Sequence, residues 1–270
     1  MSGRILPVGG EGPWTGGAVT ERASCVLAPN AGPMTLDGTN TWVIAEPGSS
    51  SVIVLDPGPD DVAHLDAVLA SVAGRRVAMV LLTHGHPDHA ESARSLAARV
   101  HAPVAALDPA HRLGSEGLVD GQRLDVGGLE LAVVATPGHT SDSLSFHLVA
   151  DSALLTGDTV LGRGSTLVAH PDGRLGDYLH SLHRLRHLAE ESAAAYVLPG
   201  HGPALADPVG AVTAYLEHRE ERLQQVRDAV AAGATTADAV LGLVYADVPR
   251  EVWPAARLSV LAQLAYLSGT

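Results

Sequence analysis

The chain has 270 residues, and its 17 basic and 30 acidic side chains give a formal net charge of −13, which disfavours a surface built to attract phosphate backbones. The single cysteine, Cys25, excludes an internal disulfide and is expected to be a small buried apolar residue. Because there is no apolar signal-like segment and no run of ~18 apolar residues, we expect a soluble cytoplasmic protein without a membrane partner.

The first part of the chain is predicted to alternate strands with helices. Residues 1–20 are rich in glycine and favour an extended lead-in. Apolar and β-branched runs predict strands, and amphipathic segments predict helices. The strands are expected at 23–28, 41–45, 51–55 and 77–82, and the helices at 61–73 and 90–100. The strand at 77–82 is apolar without alternation, which is typical of a strand covered on both faces.

The middle of the chain is predicted to consist mostly of strands. They are expected at 103–106, 129–135, 143–148, 153–156 and 194–198, with a loop at 108–127 and an amphipathic helix at 176–190. The alternation in 143–148 places His147 on the solvent side of its strand. Three histidines share one face of the helix, which we interpret as a solvated face rather than a metal site: His180, His183 and His187.

A long helix and two shorter helices are predicted to form a C-terminal helical cap. Asp207 is the expected N-cap of the long helix. Apolar residues recur along it at three- and four-residue spacings, with Arg219 in the one gap, so this face is expected to pack against the main domain. Pro249 is expected to split the last segment into two helices. We therefore divide the chain into a main domain at 1–205 and a helical cap at 206–270.

The strand at 77–82 leads into a segment with four potential metal ligands: His84, His86, Asp88 and His89. A helix or a strand cannot direct all four inward, since their side chains repeat at about 3.6 and 2 residues, whereas a turn can. Three imidazoles beside a carboxylate suit zinc or a similar metal. Asp88 followed by Glu91 also fits a capping box, so the Asp88 carboxylate has a second interpretation as a helix cap.

Other potential ligands follow predicted strands, in turns that contain glycine or proline. They are Asp56, His139, Asp158 and His201. Strand ends at one edge of a layered α/β domain form a common rim, so these side chains are expected to meet the four-ligand segment. A buried, hydrogen-bonded histidine is the ordinary interpretation of any one of them, but their repetition favours a metal centre.

In this order, Asp56, the segment 84–89, His139, Asp158 and His201 resemble the five motifs of the metallo-β-lactamase superfamily. The resemblance implies an α/β fold, a four-layered αββα sandwich with the site along one edge of the packed sheets. It also implies two Zn(II) ions per chain, with Mn or Fe as alternatives. One metal would be held by His84, His86 and His139, and the second by Asp88, His89 and His201, with Asp158 bridging both and Asp56 orienting a ligand.

Four further segments are similar to the β-lactamase-like protein 2 group within that superfamily. They are 36–41, 136–143, 157–162 and 178–185. The group carries a small C-terminal helical segment that is winged-helix-like and comparable with 207–270. Its animal relatives are implicated in cleaving single-stranded RNA, so this resemblance adds RNA to the possible substrates.

The resulting hypothesis is a dinuclear metal-dependent hydrolase that uses a metal-bridging hydroxide on a small-molecule ester, thioester or lactam, with Asp88 moving a proton. Two alternatives stay open: a single-strand-specific endoribonuclease, and a non-catalytic interaction protein stabilised by metal. The net charge and the lack of an Arg/Lys run disfavour RNA, and the oligomeric state stays open. Four residues near the motif turns are candidates for contact with substrate: Asn40, Ser165, Thr166 and His170.

Overall fold

Two β-sheets of six strands each form the centre of the part of the chain that this computed structural model describes, which is residue 8, residues 12–115 and residues 117–269. The first sheet holds β1 to β6 in sequence order: Gly17–Ala18, Ala23–Leu27, Asn40–Ile44, Ser51–Leu55, Arg76–Leu81 and Val104–Ala105. The second holds β7 to β12 in sequence order: Arg123–Val126, Leu129–Ala135, Leu144–Leu148, Ala153–Gly157, Tyr196–Pro199 and Leu205–Ala206. Half of the predicted lead-in, residues 1–7 and 9–11, lies outside the described residues.

Seven α-helices accompany the sheets within the same described residues. They are α1 to α7: Val62–Val72, Pro87–Ala90, Ala93–Val100, Leu175–Glu191, Pro208–Ala231, Ala237–Val244 and Trp253–Ser268. Side-chain caps explain where several begin, because they satisfy backbone N–H groups that have no partner inside the helix. The Asp61 carboxylate caps α1, the Asp207 carboxylate caps α5 and the Thr236 hydroxyl caps α6. None of the helices is long and apolar enough to cross a bilayer.

Strand direction in each sheet follows from the length of the connection. Neighbouring strands joined by short segments pair antiparallel, as β2 with β3 and β8 with β9 do. Parallel neighbours need a long crossover, and here each crossover contains a helix. Helix α1 separates the parallel strands β4 and β5, and α4 separates β10 and β11. Both sheets therefore have parallel strands whose ends can share one edge.

The main core lies between the two sheets. Alternate side chains of each strand point to opposite faces, so Trp42 and Ile44 enter this core while Val43 faces the other way. Across the interface they meet side chains such as Leu131 and Phe146 from the second sheet. These residues are almost completely buried, as expected for two apolar sheet faces packed together.

Helices cover the outer faces of both sheets. On the first sheet, α1 and α3 bury a layer of valines and leucines that includes Val54 and Leu65. On the second, α4 and α5 cover Val197 with side chains such as Leu182 and Val212. The order of layers is helix, sheet, sheet, helix, which confirms the four-layered αββα prediction.

The C-terminal helices form a separate cluster around the far end of α5. Val226 of α5 packs with Val240 of α6 and Val260 of α7, while the first turns of α5 pack on α4. Pro249 precedes a 3-10 turn at 250–252 and separates α6 from α7, as predicted. Because α5 belongs to both clusters, the division of the chain at residues 205 and 206 stays a prediction.

Three local predictions were wrong. The segment 108–127 is not all loop, since β7 pairs there with β8 as a short strand with alternating charged and apolar residues. Asp88 is not a helix cap: it lies inside the first turn of α2, after His86 at the N-cap position. His147 does not face open solvent, because it is half-buried and its Nε2 is buried without a hydrogen-bond partner among the described residues.

Candidate metal centre

All seven predicted metal ligands meet at one edge of the two sheets, as a consequence of where their strands end. The segment 84–89 follows β5 and includes α2. His139 follows β8, Asp158 follows β10 and His201 follows β11. Their ligand atoms form three overlapping groups, each within 4.8 Å: His84, His86 and His139; His84, His89 and Asp158; Asp88, His89 and His201.

The three-histidine group has its ring nitrogens directed at a single point. His86 Nδ1 lies 3.0 Å from His84 Nε2 and 3.0 Å from His139 Nε2. His84 and His139 are buried, whereas the His86 ring is exposed and forms the outer side of the group. A neutral imidazole has one lone pair, so three such nitrogens at one point suit a cation better than they suit one another.

The second group combines carboxylates with histidines. His201 Nε2 lies 3.2 Å from His89 Nε2 and 3.2 Å from Asp88 Oδ2. Asp158 stands between the two groups, with Oδ2 at 3.3 Å from His201 Nε2 and at 3.7 Å from His139 Nε2. Asp158 is thus the residue that faces both groups.

Asp56 orients two of the histidine rings, His89 directly and His84 through Thr83. One carboxylate oxygen accepts hydrogen bonds from the Thr83 hydroxyl at 2.7 Å and from His89 Nδ1 at 2.9 Å, and the other accepts from the Thr83 backbone N–H at 2.8 Å. Because the Thr83 hydroxyl donates to Asp56, it accepts from His84 Nδ1, 2.9 Å away. Both rings therefore carry a proton on Nδ1 and direct Nε2 into the site, where it is the ligand atom of the neutral ring.

Backbone carbonyls fix two other rings in the same way. His139 Nδ1 donates to the Leu167 carbonyl at 2.6 Å, and His201 Nδ1 donates to the Gly38 carbonyl at 3.2 Å. With Nδ1 protonated, Nε2 of each ring is directed into the site and carries the lone pair when the ring is neutral. Four of the five histidines are therefore held in one tautomer by groups outside the site.

The pKa values of the two groups differ because only one contains carboxylates. Burial lowers the pKa of His84 well below its usual range, and the neighbouring His89 and His139 lower it further. Burial and the His139 ring also lower the pKa of His86. These imidazoles are neutral near pH 7, which is the form that binds a metal.

The second group collects positive charge. Burial would lower the pKa of His89, but the Asp158 and Asp56 carboxylates outweigh it and raise this pKa well above the usual value. The Asp158 charge likewise overcomes burial and raises the pKa of His201 to about 9. Burial would raise the pKa of Asp158, but His201 and His89 hold it well below its usual range. The carboxylates of this group are thus ionised, and they favour positive charge at the position that His89 and His201 share.

The residues present fit a bound metal. Asp158 Oδ1 is buried without a hydrogen-bond partner among the described residues, although His89 Nε2 lies 3.4 Å from it. A buried carboxylate oxygen without a partner is costly, and a metal ion would satisfy it. Gly200 packs so closely on Asp158 and His89 that a Cβ there would overlap the carboxylate. The donor set contains only nitrogen and oxygen, which suits zinc, manganese or iron.

Two of the four predicted substrate contacts are corrected by the structure. Asn40 is completely buried, and its amide donates to the Pro199 and Gly202 carbonyls on either side of His201. It holds the turn that carries His201 and is not free to meet a substrate. Thr166 is also buried, with its hydroxyl 3.5 Å from His139 Nδ1. Both residues belong to the support of the ligands.

The other two predicted contacts line open cavities whose walls include none of the seven ligands. Ser165 lies in a cavity of about 310 Å³ between the segment 161–165 and α5, whose walls include Leu161, Leu205 and Tyr215. His170 lies in a cavity of about 470 Å³ between the beginning of α4 and α7. The first cavity is linked to the centre through its wall, because the Gly162 N–H donates to the carbonyl of His201, but none of the seven ligands lines it.

Sequence reasoning missed the residues that join the ligands to the rest of the fold. Thr83, which links Asp56 to His84, is one of them. The buried Arg219 of α5, which donates to the Thr166 carbonyl, is another. For Arg219 a signal existed, since it interrupts an otherwise apolar helical stripe. For Thr83 the only signal was its position between a strand and the first histidine.

Replacing Asp56 with asparagine is expected to weaken metal binding by about 10–100-fold, the usual loss when a residue that orients a ligand is removed. An amide offers one oxygen, so either the Thr83 backbone N–H, or His89 Nδ1 together with the Thr83 hydroxyl, would face an N–H group instead of an acceptor. The measurement is a competition titration of Zn(II) against a chelating indicator. Asp60→Asn, an exposed carboxylate on the same loop, is the control and should bind as the unchanged chain does. Equal affinity in both variants would contradict the role of Asp56.

Comparison with protein-family models finds two matches along the chain. The model described as metallo-beta-lactamase superfamily matches residues 34–201, which includes all seven ligand candidates and Asp56. The model described as beta-lactamase associated winged helix domain matches residues 236–268, which includes α6 and α7. The two matches agree with the predicted fold and its C-terminal segment.

Individual proteins agree with the family models. The beta-lactamase-like protein 2 homolog of Caenorhabditis elegans is 31% identical over 254 residues, which is 90% of this chain and 81% of that protein. The atrochrysone carboxyl ACP thioesterase AgnL7 of Paecilomyces divaricatus is 34% identical over 213 residues, 77% of this chain and 64% of that protein. The crystal structure of a beta-lactamase domain protein from Burkholderia ambifaria has the same fold, with a TM-score of 0.81 at 22% identity, covering 98% of this chain and 92% of that one.

Proposed function

Because the chain belongs to the metallo-β-lactamase superfamily, we propose that it is a dinuclear metal-dependent hydrolase of acyl bonds, with thioesters as its leading substrate class. The observation that carries this proposal is the pair of ligand groups joined by Asp158. A site of this kind needs no serine or cysteine nucleophile, and the one cysteine, Cys25, is buried in the core.

In this proposal the two groups hold two divalent metals, most simply Zn(II). His84, His86 and His139 would hold the first metal, and Asp88, His89 and His201 would hold the second, with Asp158 available to both because it faces each group. When bound, such a metal pair lowers the pKa of water and polarises the oxygen of the bond to be cleaved. Asp56 and the carbonyls of Leu167 and Gly38 keep the imidazoles in the tautomer that ligation requires.

Asp88 is the residue best placed to move a proton. It is the more exposed of the two carboxylates, with a side chain 30% exposed against 10% for Asp158. Burial would raise the pKa of Asp88, but the hydrogen bond with His201 and the charge of His89 keep it below its usual value. An ionised Asp88 accepts a proton from the attacking water and returns it to the leaving group. For a thioester, a carbon–oxygen bond forms, the carbon–sulfur bond breaks and the proton ends on sulfur.

Two observations favour a thioester with an apolar acyl group. The first is the similarity to two proteins named as atrochrysone carboxyl ACP thioesterases. The second is the cavity of about 310 Å³ whose wall residue Gly162 donates its N–H to the carbonyl of His201. Its walls combine Leu161, Leu205, Ala214 and Tyr215 with the polar Arg163 and His218. A cavity of this size and lining suits an acyl chain of moderate length.

Two other functions remain as outcomes of the same test. A single-strand endoribonuclease would need cationic surface for the phosphate backbone, yet the net charge is −13 and the segment 207–270 has more carboxylates than arginines. An interaction protein with purely structural metal would favour a closed set of four ligands, often sulfur. The exposed His86 and the half-exposed Asp88 leave this centre open on one side.

Removing the metal is expected to reduce thioester hydrolysis by on the order of 10³-fold, and restoring Zn(II) is expected to recover it, because the metals supply both the reactive water and the polarised carbonyl. The measurement is release of free thiol from a set of acyl thioesters before and after dialysis against a chelator. Oxygen esters, a β-lactam and single-stranded RNA are assayed beside them at known metal content.

The control is His183→Ala, which removes an exposed histidine from the outer face of α4 and should leave both metal content and turnover unchanged. Metal-dependent cleavage of RNA that exceeds hydrolysis of every acyl substrate would replace the proposal by the endoribonuclease. Two tightly bound metals without turnover of any substrate would support the interaction protein.

A further inference from the structure

Arg219 is a buried cation in the middle of α5, within the helical face that packs against the second sheet. It is 4% exposed, and its Nε has no hydrogen-bond partner among the described residues. One Nη donates to a backbone carbonyl, that of Thr166, rather than to a carboxylate. Burying a guanidinium is unfavourable unless its interactions compensate, so its contacts need an explanation.

The first contact leads to a metal ligand. Arg219 donates to the carbonyl of Thr166, and the next carbonyl along the chain, that of Leu167, accepts the Nδ1 proton of His139 at 2.6 Å. The Thr166 hydroxyl also lies 3.5 Å from His139 Nδ1. The segment 166–167 therefore joins the guanidinium to the imidazole through adjacent residues.

The second contact, with Tyr178, connects Arg219 to the turns that carry Asp158 and His139. The Arg219 guanidinium lies over the ring of Tyr178, 5.1 Å from its centre. The Tyr178 hydroxyl donates to the carbonyl of Thr159, next to Asp158, at 2.7 Å. The backbone of Tyr178 packs directly on Gly138, next to His139. Arg219 and Tyr178 together contact the supports of both His139 and Asp158.

We propose that Arg219 is a positioning residue for the metal centre: by fixing the segment 166–167 it holds His139 with the proton on Nδ1 and Nε2 directed at the metal. The inference rests on the proposed metal-dependent function. It gives the C-terminal helix α5 a role in setting metal affinity, through a residue that touches neither metal nor substrate.

The guanidinium is suited to this role in a way that an ammonium is not. Its plane stacks on the Tyr178 ring while an N–H at its edge donates to the Thr166 carbonyl. A lysine has one compact charged group at the end of its chain and cannot do both with the same geometry. Arg219→Lys therefore keeps the charge and removes the geometry, whereas Arg219→Met removes both and keeps an apolar chain of similar length.

The experiment measures Zn(II) affinity and the tautomer of His139 in the full chain. Affinity comes from competition with a chelating indicator, and the tautomer comes from two-bond ¹H–¹⁵N correlations of the histidine rings in the metal-free protein. For Arg219→Met we expect one of the two metals to bind about 10–100-fold more weakly, with His139 distributed between its two tautomers. Arg219→Lys should show the same change to a smaller extent.

The matched control is Arg222→Met, one turn further along α5. Arg222 also stacks on an aromatic ring, with its guanidinium 4.7 Å from the centre of Tyr245, and also donates to a backbone carbonyl, that of Val244. Its contacts lie at the end of α6 and on α5 itself, at Gln225, and not on the metal loops. This variant should lower thermal stability while metal affinity and the His139 tautomer stay as in the unchanged chain.

The proposal is overturned if folded Arg219→Met keeps both the metal affinity and the single His139 tautomer, since Arg219 would then only stabilise the fold. If Arg219→Met does not fold, the Zn(II) affinity and the His139 tautomer are measured in Arg219→Lys instead, and unchanged values there overturn the proposal. If the unchanged chain takes up no metal, the proposed function fails, but the tautomer in the metal-free protein still tests whether Arg219 positions His139.

Discussion

Replacing Asp158 with alanine is expected to reduce turnover by on the order of 10³-fold or more, because loss of a residue that merely orients a ligand already costs about 10–100-fold. Asp158 faces both ligand groups, with Oδ2 at 3.3 Å from His201 Nε2 and at 3.7 Å from His139 Nε2. Without it, His89 and His201 would share only the Asp88 carboxylate, and no carboxylate would face both ligand groups, so a second cation would be poorly neutralised.

The measurement pairs metal content per chain with thiol release from a thioester. His86→Ala is assayed beside Asp158→Ala, since it removes the exposed ligand of the three-histidine group and should cost one metal. Asp66→Ala, which removes an exposed carboxylate on α1, is the control and should keep two metals and full turnover. Two bound metals and undiminished turnover in both Asp158→Ala and His86→Ala would refute the assignment of the centre.

Replacing Gly138 with alanine is expected to destabilise the fold by at least about 3 kcal/mol, the upper range for extra atoms forced into a packed site. A Cβ at this position would overlap the backbone of Tyr178 in α4, and a helix backbone cannot turn aside as a flexible side chain could. Gly138 also has φ of +134°, a conformation that L-residues rarely adopt. The turn carrying His139 and the helix α4 would have to separate.

The matched control is Gly48→Ala, at an exposed turn with φ of +78° and no atom within 4 Å of a Cβ. This variant places a side chain at a left-handed backbone position but causes no overlap. Its free energy of unfolding should therefore fall by only about 1 kcal/mol. Urea unfolding of the metal-free proteins measures both values, so that metal binding does not contribute. Equal losses in the two variants would show that the contact between Gly138 and Tyr178 is not tight.

The sequence allowed prediction of most residues at the centre, because they follow strands and lie in turns. His84 and His86 could not share one face of a regular element with His89, and a turn at a strand end was the remaining arrangement. The assignment of each ligand to one of two metals came from resemblance to a family, because spacing along the chain does not give distances across it. The structure then brought the side chains together at one edge.

What escaped prediction depends on tertiary packing. The direction of the Asn40 amide is set by carbonyls 159 and 162 residues away, which no local pattern reveals. Arg219 broke the apolar pattern of its helix, but the carbonyl it reaches is known only once α5 lies on the second sheet. Strand β7 was missed because two of its four residues are charged, as is common for a strand at the edge of a sheet.

The Asn40 amide has a consequence for the order in which the protein folds. Asn40 lies in the first sheet, and the carbonyls that it binds belong to the last residue of β11, in the second sheet, and to the turn that follows. Both the group of three histidines and the group containing Asp88 likewise include residues from each sheet. Contacts between such distant segments form late, since chain entropy must be lost before they contribute. Neither half of the chain can therefore build a high-affinity site during synthesis, and metal capture is expected to follow the docking of the two sheets instead of guiding it.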